Sequence, residues 1–342
     1  MFLIDAIRTS TTAKFTTTPP SANSVAFYDH LTHWRGYRVE DFDLAAPQRP
    51  DADGVIYRLA HQSSERGGFL WRKITWEEIK IGQVIARFAN QPGADRSPGL
   101  IIGAWEPGEE AEVAIAPLIE HRRRLAALRC LFLGEFTQEE NEVSWILQSD
   151  FAPLLEAFPG LAHFAVRGVP VLGKPVRHEG LRSLTLQSPG TPKDVVNQLR
   201  QSVFPELEEL DIYTGTEDYG GEIEPDDLRW LLFDNPFPKL RRLGIRNCEV
   251  IDALAPILAD APVLDQIEEL DLSLGTLSDK GAEALLASPR LAKLKQIDLH
   301  HHYMSEPMMA RWQALGVKVD VGDRQEDEEF DGEPMRAVAI AE

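Results

Sequence analysis

The stretch Leu240-Arg241-Arg242-Leu243-Gly244-Ile245-Arg246-Asn247-Cys248-Glu249-Val250 decides how this chain is read. Its apolar residues stand at positions one, four, six and eleven, with a cysteine at nine, which is the pattern of a leucine-rich repeat. A strand sends successive side chains to opposite faces, so Leu243 and Ile245 share one face and Arg242 and Arg246 the other. One such strand cannot bury its apolar face alone, and the pattern therefore demands neighbours.

The neighbours are present. The same spacing of apolar residues occurs at Leu128/Leu131/Leu133, Leu161/Phe164/Val166, Leu181/Leu184/Leu186, Leu207/Leu210/Ile212, Ile267/Leu270/Leu272 and Leu294/Ile297/Leu299. Helical segments follow the strands. In Ser278-Asp279-Lys280-Gly281-Ala282-Glu283-Ala284-Leu285-Leu286, Ser278 is placed as N-cap, and Ala282, Leu285 and Leu286 form an apolar stripe. Phe158-Pro159, Phe204-Pro205 and Phe237-Pro238 punctuate the array, because proline cannot continue a helix. The expectation is an α/β leucine-rich-repeat solenoid, a horseshoe with a parallel concave sheet and helices on the convex side.

Array ends require atypical units. Residues 1–24, rich in Thr, Ser and Pro, read as a disordered arm. Residues 25–110 read as an N-terminal β-α-β cap, with a strand at Val55–Leu59, a helix opened by a Thr75/Glu78 capping box and running to about Asn90, and a strand at Gly99–Gly103. The solenoid then covers 111–322, and 323–342 form an acidic link with a C-terminal capping strand; Val317–Val321 is a further candidate for closing that end.

Residues 201–342 hold 31 acidic against 13 basic residues, almost the whole of the net charge of −20. An acidic half repels a nucleic-acid backbone, so a nucleic-acid partner is disfavoured and a protein with a basic surface fits better. No apolar run reaches the length of about 18 residues of a membrane helix, and Phe2-Leu3-Ile4 is too short for a signal segment, which places the chain in the cytoplasm with no membrane partner. Cys130 and Cys248 show neither disulfide nor zinc spacing.

Phe132-Leu133-Gly134-Glu135-Phe136, Glu139-Glu140-Asn141-Glu142-Val143-Ser144-Trp145-Ile146, Leu272-Ser273-Leu274-Gly275-Thr276-Leu277 and Asp298-Leu299-His300-His301-His302-Tyr303 carry a resemblance. Over roughly residues 50–342 the chain resembles a family of bacterial cytoplasmic leucine-rich-repeat proteins of the ribonuclease-inhibitor type. The resemblance implies an α/β horseshoe and brings no catalytic residues with it.

The remaining constellations each have two readings. In His300-His301-His302, consecutive side chains cannot all face one metal; His302 takes position nine and reads as a buried turn residue, while His300 faces the concave surface. The carboxylates from Glu217 to Asp227 lack the register of a calcium loop and read as a solvated insertion, with Asp226 as a helix cap. Thr137 and Glu140 form a capping box. Cys248 reads as a buried turn residue rather than a reactive thiol. No phosphate loop, nucleophile elbow, zinc-protease or dinucleotide motif occurs, so no cofactor, no metal and no catalytic residue is expected.

Two functions compete. The first is a non-catalytic interaction module or scaffold that binds its partner through the outward strand positions Glu209, Asp211, Tyr213, Arg242, Arg246, Glu269, Asp271, Ser273, Gln296, Asp298 and His300. The second is a metal-dependent hydrolase using Asp271, Asp298 and His300.

Overall fold

The computed structural model describes residues 29–45, 48–66, 75–330 and 333–341. The expected disordered arm, 1–24, lies outside them. Twelve strands form one large, mostly parallel sheet: β1 (His33–Trp34), β2 (Tyr37–Asp41), β3 (Val55–Leu59), β4 (Gly99–Ile102), β5 (Cys130–Leu133), β6 (His163–Arg167), β7 (Ser183–Gln187), β8 (Glu209–Gly215), β9 (Arg242–Cys248), β10 (Glu269–Asp271), β11 (Gln296–Asp298) and β12 (Lys318–Asp320). Their order across the sheet is their order along the chain. Only β1 and β2 run antiparallel to each other; every other neighbouring pair is parallel.

All seven sequence repeats coincide with strands, β5 to β11, and the register explains why. Leu131, Phe164, Leu184, Leu210, Leu243, Leu270 and Ile297 are direct partners from strand to strand. The fourth position of each repeat thus forms one continuous apolar row, which enters the core with helix residues such as Leu199, Leu254 and Leu285. The helices occupy the returns: α1 (Ile81–Ala89), α2 (Glu112–Glu120), α3 (Ala152–Ala157), α4 (Lys193–Gln201), α5 (Arg229–Phe233), α6 (Ile251–Asp260), α7 (Asp279–Leu286) and α8 (Glu306–Gln313). Ser278 caps α7 as expected, its hydroxyl accepting from the Lys280 amide at 3.2 Å.

The repeat extends to the turns. Asn247, Leu274 and His301, four residues past the row-forming Leu243, Leu270 and Ile297, each adopt positive φ (51°, 69° and 57°). Each strand thus leaves the sheet through the same left-handed step, which side chains tolerate only where the surroundings hold it. Position nine follows with Cys248, Gly275 and His302. A Cβ on Gly275 would lie 2.7 Å from the Cys248 carbonyl oxygen, so this close approach of neighbouring turns admits only glycine there.

Several local expectations need correction. Thr75–Ile79 is a strand paired antiparallel with Gln62–Arg66, not the start of a helix. Helix α1 begins at Ile81, where the Gln83 side chain accepts from the Lys80 amide at 3.2 Å. The two strands expected within 25–110 are present as β3 and β4 and stack on the repeats in the same sheet, with one apolar core from Phe42 to Ile340. Asp227, not Asp226, caps the segment before α5: it accepts from the Glu224 amide at 3.0 Å, while Asp226 pairs with Arg229. After Thr137 comes a turn rather than a helix, although Glu140 does accept from the Thr137 amide at 2.9 Å. At the far end β12 pairs with β11; within 323–342 the strands are Glu328–Phe330 and Glu333–Met335, paired antiparallel with each other, and the apolar run 336–340 forms none; there Ile340 exchanges two backbone hydrogen bonds with the Asn247 side chain. No helix among the described residues is long and apolar enough to cross a membrane.

Candidate functional site

The side of the sheet opposite the apolar rows carries the residues expected to meet a partner. Register aligns Glu209, Arg242, Glu269 and Gln296 as a row: Glu209 pairs with Arg242, Arg242 with Glu269 and Glu269 with Gln296. A second row contains Asp211, Gly244, Asp271 and Asp298, and Tyr213 stands beside Arg246 in a third.

 Asp211, Tyr213, Arg242, Arg246 and Asp271 in these rows pack against one another rather than into solvent. Arg242 donates to Asp211 at 2.6 Å and to Asp271 at 2.7 Å, bridging two strands that flank its own. Arg246 lies 4.8 Å over the Tyr213 ring, donates to Ser273 Oγ at 3.0 Å and stands 3.3 Å from Asp271 Oδ1. Gly244 makes the array possible, because a Cβ there would lie 2.0 Å from Asp211 Oδ1.

The electrostatics follow from this packing. Burial alone would lower both arginines, but Asp211 and Asp271 outweigh it and hold Arg242 and Arg246 above their ordinary values. Burial pushes the Tyr213 hydroxyl up to about 12. His300 lies 2.7 Å from Asp298; burial disfavours its charged form, yet the carboxylate raises it, and the imidazole in turn holds Asp298 below the usual range.

The eleven expected binding residues therefore divide. Asp211, Tyr213, Arg242, Arg246, Asp271 and Ser273 are buried, so they are not the open surface that strand alternation alone suggests. Arg242, Arg246, Asp271, Ser273 and Asp211 Oδ2 engage one another, whereas Asp211 Oδ1 is buried without a hydrogen-bond partner. Glu209, Glu269, Gln296, Asp298 and His300 are half-buried and remain at the surface. Asp271, a candidate metal ligand in the hydrolase reading, already has both oxygens engaged by Arg242, Arg246 and Ser273. Among the described residues, no group of three His, Cys, Asp or Glu side chains is placed to hold a metal ion.

The turn residues behave differently. His302 is fully buried; its Nδ1 accepts from the Met304 amide at 3.0 Å, which leaves Nε2 to donate to the Val321 carbonyl at 3.0 Å. Cys248 is fully buried as well, and burial pushes its thiol up to about 11.

The sequence reading missed how the first strands of this side are covered. Leu31 and Trp34 pack on Ile56, Ile101, Cys130, Phe132 and Ala165, with the Trp34 and Phe132 rings 5.6 Å apart. From the turn between β1 and β2, Arg35 reaches Glu209 at 2.6 Å and Ser183 at 2.5 Å. The Leu31 amide and Arg58 both bond to buried Glu135, and His30 bridges Glu135 and Glu140. The signal was available in Gly99-Leu100-Ile101-Ile102 and Cys130-Leu131-Phe132-Leu133. Runs without alternation mark strands buried on both faces.

A similar solved structure is that of a Bacteroides fragilis protein, determined as a target of the Northeast Structural Genomics Consortium. It is 32% identical, with a TM-score of 0.68, over 71% of this chain and 70% of that one. No family model matches the chain, and no curated protein matches it.

Proposed function

The chain belongs to the family of that Bacteroides fragilis protein, and we propose that it is a cytoplasmic leucine-rich-repeat solenoid that works as a non-catalytic interaction module. The observation that carries this reading is the helix-free side of β8 to β11, where polar residues recur in register while the opposite rows are apolar. Stacked repeats of this kind offer one continuous surface, which suits a protein partner. The contact is assigned to Glu209, Glu269, Gln296, Asp298 and His300, the expected residues that keep surface exposure. The buried ion-pair array beneath them sets their positions. A partner with a basic surface matches this acidic rim, and charge of this kind mainly accelerates encounter.

The test is affinity capture from the native host, repeated with Glu269→Lys/Asp298→Lys and with a helix-side control, Lys280→Ala/Glu283→Ala. Loss of the captured protein with the first variant alone, and weaker capture by the wild type as salt rises, supports the reading. Equal capture by both variants, with folding intact, refutes it. The hydrolase alternative gains no support from the geometry at Asp271.

A further inference from the structure

A cavity of about 530 Å³ opens at the C-terminal ends of the early strands, between the loop that follows β4 and the loop that follows β5. In open parallel sheets that edge is where ligands commonly sit, and the volume falls in the range of small-molecule sites. Trp105, Phe136, Trp145 and Leu147 supply the apolar walls. Trp105 cannot swing away: its indole N–H donates to the Glu109 carbonyl at 2.9 Å and its ring meets Phe136 edge-on at 4.7 Å. Trp145 and Leu147 are unusually exposed for their type, at 69% and 45%. The Asn141 side chain holds the Trp145 carbonyl at 3.2 Å, which ties this loop at the mouth.

The polar part of the lining is mostly acidic, with His61, whose Nδ1 meets the Ala104 carbonyl at 3.3 Å, as its one basic side chain. It includes three glutamates and neither lysine nor arginine. Glu140 is already matched, since it accepts from Thr137 and faces His30, whose pKa is raised to about 9 by its hydrogen bonds to Glu135 and Glu140. Glu106 is not matched. Its Oε2 is buried without a hydrogen-bond partner, and among the described residues it has no ion pair. A buried carboxylate oxygen left in that condition calls for a donor.

We infer that this cavity binds an organic cation, an alkylammonium or guanidinium group held between the aromatic walls and charge-paired with Glu106. Aromatic walls with a carboxylate are the chemistry that recognises such groups. A neutral apolar ligand would leave Glu106 Oε2 unpaired, and an anion would face three glutamates. A hard metal cation needs a shell of oxygens that tryptophan and leucine cannot provide. The group arrives either as a free amine or as the Lys or Arg side chain of a protein. This inference does not depend on the surface assigned to β8–β11.

Calorimetric titration of the full chain tests it with butylammonium, butylguanidinium, acetyl-Gly-Lys-Gly-amide, acetyl-Gly-Arg-Gly-amide and the neutral isostere 1-butanol. The cations are expected to saturate one site at millimolar concentration or below, and butanol to bind at least about tenfold more weakly. Glu106→Gln, which keeps the side-chain shape, should weaken the cations by about tenfold and leave butanol unchanged. Trp145→Ala, at an exposed position, should also weaken them. Tighter binding of the tripeptides than of the butyl ions identifies a protein side chain as the source, and the reverse identifies a free amine. Butanol binding as tightly as the cations, no saturation by any cation, or an unaltered Glu106→Gln variant overturns the inference.

Discussion

Removing Arg242 is the most direct perturbation of the ion-pair array. The guanidinium meets Asp211 at 2.6 Å and Asp271 at 2.7 Å, and all three side chains are at most 10% exposed. Two unit charges about 4 Å apart attract by about 4 kcal/mol at an effective dielectric constant near 20, so the two contacts contribute about 8 kcal/mol before desolvation. Desolvation offsets several kcal/mol of this in the intact protein. Arg242→Ala keeps the cost for both aspartates and loses the attraction, so the expected loss is about 3 to 5 kcal/mol. The quadruple variant Arg242→Met/Arg246→Met/Asp211→Leu/Asp271→Leu removes every charge of the array, including the Arg246 that pairs with Asp271, and should recover most of that loss, because a buried ion cluster and an apolar replacement are often close in stability. Urea unfolding at pH 7, followed by circular dichroism, measures both. A loss below about 1 kcal/mol for Arg242→Ala would mean that the pairs are screened as surface pairs are, and the picture of a closed array would fail.

Four further outcomes are expected. Leu270→Ala, in the buried apolar row, should cost about 2 to 5 kcal/mol in urea unfolding and broaden the transition as neighbouring repeats loosen. His302→Ala removes two hydrogen bonds from a buried turn and should cost about 1 to 3 kcal/mol by the same measurement. Cys248 should resist a thiol-specific reagent at pH 8 until the protein unfolds, since the thiol is buried and its ionisation is pushed up to about 11; labelling at the rate of a free thiol would contradict this. His30 rises from 6.5 to about 9 in the folded protein through Glu135 and Glu140, so its stabilising contribution is fully present below pH 6.5 and is lost as pH rises through 9; His30→Gln should flatten that part of the stability profile.

How much of this was legible varies with the physics of each element. The strands from Leu131 to Ile297 were readable because a buried row needs an apolar residue at the same place in every repeat. Position nine was readable at Cys248 and His302 for a related reason: the turn encloses that side chain. Thr75 and Glu78 misled because a capping box is a local signal that also fits a strand with Thr and Trp, and pairing with Gln62–Arg66 decides the outcome. The side chains of the candidate surface were placed on the correct side of the sheet by alternation alone. Their burial was not readable, because it depends on Arg242 reaching across two strand spacings and on the space left by Gly244.

The two halves of the helix-free side solve one problem in different ways. A parallel sheet with helices on one side only leaves its other side to water unless something covers it. Over β3 to β6 the cover is apolar, with Leu31 and Trp34 seated on Ile101 and Phe132. Over β8 to β10 the strands cover themselves with ion pairs, and this has an electrostatic consequence. Arg242 and Arg246 balance Asp211 and Asp271, so the array adds nothing to the net charge of the acidic half. The excess of 31 acidic over 13 basic residues must then be carried by the rim, the helices and the loops. If a basic partner is steered to this side, the steering comes from groups such as Glu269, which is not sealed inside the array, rather than from Glu209, which Arg35 already balances. Substitutions at the rim should therefore change association and its salt dependence with little effect on folding, whereas substitutions within the array should change folding first.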